Sequence, residues 1–129
     1  MDLLRRTWPT NLCFFSFVKE ITMAEFLGEF EQLVLLALVR LGPDAYGVTI
    51  CDDIAERSGR AVSLGAVYKT LDRLETKGFV GTWLGDPTAE RGGRRKKHFK
   101  VLAAGQRALK ASIAALRRMT DGIESEIGL

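Results

Sequence analysis

Apolar and polar positions recur at helical spacing through three successive segments of this chain. The first, Phe30–Leu41, is apolar nearly all round, which predicts a helix that is buried on every face. The segment 42–44 (Gly-Pro-Asp) ends it. A second helix is predicted from about Ala45 to Arg57, with its apolar side chains on one stripe and its charges outside.

The third helix has the clearest boundaries. Its N-cap is Ser63, whose hydroxyl can accept a hydrogen bond from an otherwise unpaired backbone N–H. Apolar residues then recur at spacings of three and four and predict one apolar face: Leu64, Val67, Leu71 and Leu74. The pair Lys77-Gly78 is typical of a helix end.

The opposite face of this third helix begins with small residues and then becomes basic. It carries Gly65, Ala66, Lys69, Thr70 and Arg73. Glycine costs roughly 1 kcal/mol in a helix interior, so Gly65 needs a reason to be there. Together, Gly65 and Ala66 are small enough to let the start of the helix approach another surface closely.

Two short runs typical of β-strands follow, at residues 79–84 and 97–101. Between them, residues 85–96 form a loop, and the stretch 91–100 holds six fixed positive charges and no carboxylate. Such a loop on its own is equally typical of a solvated surface. After three helices it favours a phosphate backbone as partner. The predicted fold is mostly α with a small two-stranded β wing, in the order of a winged helix-turn-helix.

A last helix is predicted from Ala103 to Ile127. Its apolar stripe has heptad spacing and consists of Leu102, Leu109, Ile113, Leu116, Ile123 and Ile127. We predict that this stripe pairs with a second copy of the chain, and packing against its own domain is the alternative. The predicted division is therefore an N-terminal arm at 1–27, a DNA-binding domain at 28–101 and a dimerisation helix at 102–129.

Composition narrows the class of protein without identifying it. The chain has 129 residues, of which 47% are hydrophobic and 27% charged, as in ordinary globular domains. The formal net charge of +3 is modest, but its concentration in the loop favours a polyanionic partner. Cys13 and Cys51 form no ligand pattern and are interpreted as free thiols, so no metal or cofactor is predicted. No apolar run is long enough for a membrane span, and the expected location is the cytoplasm.

Residues 1–22 differ from the rest of the chain. Their aromatic cluster at 12–18 faintly resembles a signal peptide, but Lys19-Glu20 stands where small residues are expected. Our hypothesis is that translation starts at Met23, because a more conventional opening begins there.

Five blocks of the sequence together match a known family. They are FEQLVLLAL (30–38), AYGV (45–48), SLGAVYKTLDRLE with KGFV (63–80), GGRRKKHF (92–99) and AAG (103–105). On these blocks the chain from about Gly28 onward resembles the short class of the PadR family of bacterial transcriptional regulators. Where that family commonly caps its last helix with threonine, this chain has Ala103.

The resemblance implies a homodimeric winged helix-turn-helix repressor on a palindromic promoter site, with the C-terminal helices making most of the dimer interface. Some members of the family bind planar aromatic compounds between those helices. This chain has no aromatic residue after Phe99, so that kind of stacking is not expected here and any small-molecule effector stays unidentified. Trp8 and Trp83 remain as candidates, although packing is the favoured interpretation for both.

The expected DNA contacts follow from helix-turn-helix geometry, in which the second helix of the motif lies in the major groove. In that helix they are Ser63, Gly65, Ala66, Tyr68, Lys69, Thr70 and Arg73, and in the wing Arg91, Arg94, Arg95 and Lys96. Lys69 or Thr70 is the candidate for a base edge, and the wing arginines are expected at the backbone or the minor groove. For Tyr68, pure packing is the alternative.

Two other classes of function are the alternatives to DNA binding. An enzyme is not expected, because the single histidine, His98, lies in a basic strand with no catalytic pattern around it. The second alternative is a winged-helix module that binds protein or RNA, since fold does not determine function. A small-residue helix start paired with a basic wing favours DNA over both.

Overall fold

A computed structural model describes residues 26–85 and 96–129. Within these two ranges, four helices and one antiparallel hairpin follow each other: α1 Glu29–Leu41, a 3-10 turn Gly42–Asp44, α2 Gly47–Ser58, α3 Leu64–Thr76, β1 Val80–Leu84, β2 Lys97–Val101 and α4 Ala103–Thr120. The predicted order of three helices, a two-stranded sheet and a last helix is confirmed. Residues 1–25, with the hypothetical start at Met23, and residues 86–95, with Arg91, Arg94 and Arg95, lie outside the described residues.

The hydrophobic core lies where α1, α2 and α3 meet the hairpin. Its largest fully buried side chains are Phe99, Leu35, Ile50, Leu71 and Leu74. The prediction that α1 is buried on every face is wrong at one position, because Val39 is 60% exposed. A small three-helix body can cover only part of the circumference of α1, and Val39 is left on its open side.

The connection into α2 differs from the prediction. We expected helix from about Ala45, but α2 begins at Gly47. The reason is a tertiary contact: the Phe99 backbone N–H donates to the Ala45 carbonyl at 2.9 Å, and Tyr46 forms a β-bridge with His98. Ala45 and Tyr46 therefore extend the edge of the hairpin and hold the start of α2 against the wing.

Helix α3 begins and ends as predicted. The Ser63 hydroxyl accepts a hydrogen bond from the Ala66 N–H at 3.1 Å, which is the expected N-cap. At the other end Gly78 has φ +78°, a left-handed conformation that glycine adopts without strain. This turn sends the chain directly into β1, which pairs with β2 from Val80↔Val101 to Leu84↔Lys97.

Helix α4 packs unusually close to the start of the hairpin. The Leu102 N–H donates to the Phe79 carbonyl at 2.9 Å, and Gly105 then passes directly over the same carbonyl. A Cβ on Gly105 would lie only 3.0 Å from the Phe79 carbonyl carbon and closer still to its oxygen. The absence of a side chain at Gly105 is therefore a condition for this packing.

The prediction that the last helix continues to Ile127 is wrong, because α4 ends at Thr120. The Thr120 hydroxyl donates to the Arg117 carbonyl at 3.0 Å, and Gly122 has φ +85°. A polar Thr-Asp-Gly segment favours a turn over a further helical turn. Ile123 and Ile127 consequently lie in turns, at 45% and 54% exposure, and cannot continue a helical stripe.

Candidate nucleic-acid interface

The outer face of α3 leaves most of the predicted contact residues accessible. The exposed members are Ser63, Gly65, Ala66, Tyr68, Lys69 and Arg73. A Cβ built on Gly65 meets no heavy atom within 4 Å, so no packing among the described residues requires a glycine there. Among the described residues, glycine at this position therefore brings only a cost to helix stability.

Thr70 is a correction to the predicted site. It is only 2% exposed, because position 70 falls between Val67 and Leu74 on the buried face of α3. Its hydroxyl accepts a hydrogen bond from Arg73 Nη2 at 3.4 Å. Of the two residues that we favoured for a base edge, only Lys69 is therefore accessible.

Arg73 is exposed, but its guanidinium is turned along the side of the helix. It bonds to the Thr70 hydroxyl and lies near enough to Glu31, on α1, to help lower the pKa of that carboxyl. Lys69, one turn earlier on α3, is also exposed. The two cations differ in that the Arg73 guanidinium is held by the buried Thr70 hydroxyl.

Tyr68 packs against the first residue of α2. A Cβ on Gly47 would come within 2.5 Å of Tyr68 Cζ, so the ring occupies the space that a side chain at Gly47 would need. Even so, Tyr68 remains 41% exposed. The ring therefore packs against α2 on one side and is open to an external partner on the other.

A cavity of about 370 Å³ opens between the start of α2, the middle of α3 and the base of the wing. It is lined by Tyr46, Gly47, Val48, Tyr68, Lys96 and Lys97, which include two lysines and no carboxylate. The Lys96 ammonium lies 4.3 Å from the centroid of the Tyr46 ring, a cation–π distance. Such a lining suits an anionic group that also makes hydrogen bonds with hydroxyls.

Four residues of this cavity were missed by sequence reasoning: Tyr46, Gly47, Val48 and Lys97. Lys97 belongs to the basic run at 91–100, so the sequence shows its charge but does not predict its place in the cavity. Tyr46 and Val48 stand in the AYGV block and gave no charge signal. The β-bridge between Tyr46 and His98 and the hydrogen bond from the Phe99 N–H to the Ala45 carbonyl bring them to the wing.

An aromatic stack holds the base of the wing in place. Trp83 on β1 stacks on His98 of β2, with ring centroids 4.3 Å apart and planes 18° from parallel, and Tyr46 meets His98 edge-on at 5.5 Å. His98 Nδ1 is buried and has no hydrogen-bond partner in the described part of the chain. The stack joins the wing to the start of α2. The contact of Trp83 with His98 agrees with the packing role that we expected for Trp83.

A second surface runs along α4. It contains a cavity of about 570 Å³, whose lining includes the apolar Val39, Leu109 and Ile113 and the basic Lys110, Arg117 and Arg118. Further along α4, Leu116 is 57% and Met119 75% exposed. This surface combines exposed apolar side chains with a basic edge.

The six residues predicted for dimerisation are distributed unevenly. Leu109 is 6% exposed and belongs to the core of its own chain, and Leu102 packs beside Gly81 on the hairpin. Ile113 is half-buried, so Ile113 and Leu116 are the members that face the open surface from within α4. The predicted continuous stripe is thus replaced by a shorter patch together with Val39.

A buried carboxylate lies behind the interface. Glu31 on α1 is 8% exposed; it accepts hydrogen bonds from the Gly28 N–H at 2.9 Å and from Lys77 Nζ at 2.8 Å. Burial alone raises the pKa of Glu31, but these two hydrogen bonds and the charges of Lys77 and Arg73 outweigh it and hold the pKa below its ordinary value. Glu31 is therefore ionised at neutral pH and joins α1 to the end of α3.

Within residues 26–85 and 96–129, no group of three or more His, Cys, Asp or Glu side chains could hold a metal ion. Among the helices in these two ranges, none has the length and apolar character needed to cross a membrane.

Comparison with known proteins decides the family. The sequence profile described as the transcriptional regulator PadR-like family matches residues 35–111, more than half of the chain. This protein belongs to the PadR-like family of transcriptional regulators. The matched region runs from α1 through the whole helix-turn-helix and hairpin into α4, so the predicted family and fold are both confirmed.

Solved structures of PadR proteins share the fold. A PadR family transcription regulator from Clostridium difficile R20291 is 21% identical over 78% of this chain and 99% of its own, with a TM-score of 0.63. A PadR family transcriptional regulator from Eggerthella lenta is also 21% identical, over 91% and 97% of the two chains, with a TM-score of 0.59. A PadR-like transcription factor from Bacteroides fragilis is 19% identical over 84% and 96%, with a TM-score of 0.62. No curated protein sequence matches this chain significantly.

Proposed function

We propose that this PadR-family regulator binds a palindromic promoter site on double-stranded DNA as a homodimer and represses transcription there. The observation that carries the proposal is the open start of α3, where Gly65 meets nothing within 4 Å, beside a cavity with two lysines and no carboxylate. Small residues let the helix approach base edges closely, and the lysines neutralise phosphates on either side.

Sequence readout falls to α3. Lys69 is the donor for a base edge, with guanine O6 and N7 as the acceptors that suit it. Ser63, Gly65 and Ala66 allow the approach, while the Tyr68 hydroxyl is available to a phosphate oxygen. Arg73, turned toward α1, lies at the edge of this face.

Phosphate contacts fall to the wing. Lys96 and Lys97 line the cavity at its base, and Arg91, Arg94 and Arg95 extend the same charge along the loop. A row of cations at this place would fix the position of the regulator on the duplex and contribute affinity for any sequence. The salt dependence of binding is expected to come mainly from these residues.

The dimer is proposed to form through α4 and the neighbouring part of α1. Val39, Ile113, Leu116 and Met119 together give an apolar patch that water would otherwise cover. The proposed division of the chain keeps 28–101 as the DNA-binding domain and 102–129 as the dimerisation segment. Its helical part is α4, and 1–27 remains as an arm.

The direct test is fluorescence anisotropy of the purified protein with three labelled probes across a salt series. The probes are the duplex upstream of its own gene, a scrambled duplex and a single-stranded RNA. Tight binding to the first that persists at salt concentrations where the scrambled duplex has dissociated would support a sequence-specific regulator. Equal, salt-sensitive binding to all three would refute it and favour the alternative of a winged-helix module for protein or RNA.

Two variants separate the roles of α3 and wing. Lys69→Ala should reduce the preference for the upstream duplex by roughly 1–3 kcal/mol while leaving scrambled DNA nearly unaffected. A Lys96→Ala, Lys97→Ala double variant should weaken both duplexes alike and lower the salt slope by about 4, since the dimer loses two phosphate contacts from each protomer. Repression itself is tested with a reporter gene fused to the upstream promoter. If the regulator acts in the cytoplasm as a repressor, deleting its gene from the host should raise expression of the reporter.

A further inference from the structure

A side-chain contact ties the C-terminal helix to the point where the chain enters α1. The Ser112 hydroxyl, in the middle of α4, accepts a hydrogen bond from the Leu27 backbone N–H at 3.3 Å. Ser112 is 3% and Leu27 7% exposed, so water does not compete for this bond. The Leu27 carbonyl in turn accepts from Gln32 Nε2 at 3.1 Å, which fixes the first turn of α1.

The next contact continues from α1 to the end of α3. One oxygen of Glu31 accepts from the Gly28 N–H, the residue after Leu27, and its other oxygen accepts from Lys77 Nζ. Lys77 is the C-cap of α3, and its own backbone N–H closes the last turn onto Arg73. A single carboxylate therefore holds both the start of α1 and the end of α3.

Burial makes this joint difficult to replace. Glu31 is 8% exposed, and a buried charge is stable only while its partners stay in place. Since α1 packs against both α3 and α4, Glu31 lies on the helix that joins the two and is hydrogen-bonded to the end of α3. The nearby ion pair of Glu29 with Arg60 is exposed and does not reach α3.

We propose that Glu31 is a positioning residue that sets the angle of α3 relative to α4, and through it the spacing of the half-sites that the dimer accepts. The inference rests on the proposed function, because in a helix-turn-helix dimer the distance between the two reading helices has to match the distance between half-sites on the duplex. Glu31 itself touches no DNA. Its effect should appear in the choice of spacing, and binding to one half-site should change little.

The experiment uses the full chain and a duplex that the wild-type protein selects from a random-sequence library. The centre of this palindrome is lengthened or shortened by one or two base pairs, and a further duplex carries a single half-site. Glu31→Gln keeps an oxygen for the Gly28 N–H but places an amide opposite Lys77. Lys77→Gln removes the same ion pair from its less buried end and serves if Glu31→Gln folds poorly. Glu29→Gln is the matched control, and Lys77→Arg should restore wild-type behaviour.

The wild type should lose at least about tenfold in affinity when the spacing changes by one base pair, since only one reading helix then fits. The quantity to compare is the ratio of the affinity for the selected duplex to the affinity for a duplex with altered spacing. In Glu31→Gln and Lys77→Gln this ratio should fall toward one, or a different spacing should become the preferred one. The affinity of both variants for the single half-site should stay within about threefold of wild type. If both variants keep the wild-type ratio, or lose affinity for every duplex by one common factor, the inference is wrong. If the wild type itself selects no duplex or shows no spacing preference, the proposed function fails instead.

Discussion

Replacing Gly105 by alanine tests the packing of α4 against the hairpin. Gly105 is buried in the first turn of α4 and lies over the Phe79 carbonyl, which also accepts the Leu102 N–H. The added Cβ would stand 3.0 Å from both the carbonyl carbon and the Cβ of Phe79, and closer still to the carbonyl oxygen. These are mostly backbone atoms, which cannot move aside as the end of a flexible side chain can.

The expected magnitude follows from two opposing terms. Overpacking a well-packed site costs typically about 1–3 kcal/mol, and a clash with backbone belongs at the upper end of that range. Against this, exchanging glycine for alanine in a helix stabilises it by up to about 1 kcal/mol. We therefore expect Gly105→Ala to lower the free energy of unfolding by about 2 kcal/mol. For a domain of this size that corresponds to a fall in Tm of the order of 10 °C.

Gly65→Ala provides the matched control, because it is the same substitution in another helix at a site with nothing within 4 Å. Only the helix term acts there, so this variant should gain about 0.5–1 kcal/mol. Urea unfolding of both variants and the wild type shows directly whether each substitution raises or lowers the free energy of unfolding. All three proteins are measured at one concentration, because association shifts the apparent stability. A Gly105→Ala protein as stable as Gly65→Ala would refute the close approach of α4 to Phe79.

Three further predictions follow. Although it stabilises the fold, Gly65→Ala should weaken binding to the upstream duplex by at least about tenfold in anisotropy titrations, and unchanged affinity would contradict a close approach of α3 to DNA. Thr70→Val should keep affinity within about threefold, because Thr70 is buried; a larger loss would restore it as a contact. The pKa of Glu31 is lower in the folded than in the unfolded chain. The contribution of Glu31 to the free energy of unfolding is therefore complete at pH values above its unfolded pKa, and it is lost as the pH falls through its folded pKa. Urea midpoints from pH 7 to pH 3 should fall more steeply for the wild type than for Glu31→Gln, and equal slopes would contradict the assignment.

The periodicity of the sequence predicted the elements well wherever local signals agree with packing. Ser63 caps α3 as expected because its hydroxyl acts on a backbone N–H three residues away, a purely local interaction. The start of α2 was predicted two residues too early because Ala45 and Tyr46 pair with β2. A local sequence pattern cannot predict pairing with a strand more than fifty residues away. Likewise, heptad spacing overestimated α4, since the Thr-Asp-Gly turn was given less weight than the apolar repeat.

The candidate site divides in the same way. The residue types of the site, a small start of α3 and a basic wing, are properties of the sequence. The sequence does not show which of these residues are accessible, because spacing defines the edge of a helix face only to within one position. Thr70 lies at the edge between the exposed and the buried face of α3 and is buried. Tyr46, Gly47 and Val48 belong to the site because tertiary contacts hold the start of α2 against the hairpin, on which Lys97 itself lies.

The sequence by itself determined the order of the elements, the cap of α3, the basic character of the wing and the resemblance to the PadR family, because each depends on residues that are close together along the chain. The tertiary structure alone decided that Gly105 has to be a glycine, that Glu31 holds α1 and α3 together, and that Leu109 belongs to the core. Those facts depend on distances between segments far apart in sequence. Such distances are set by how helices pack as whole bodies, and local periodicity contains no information about them.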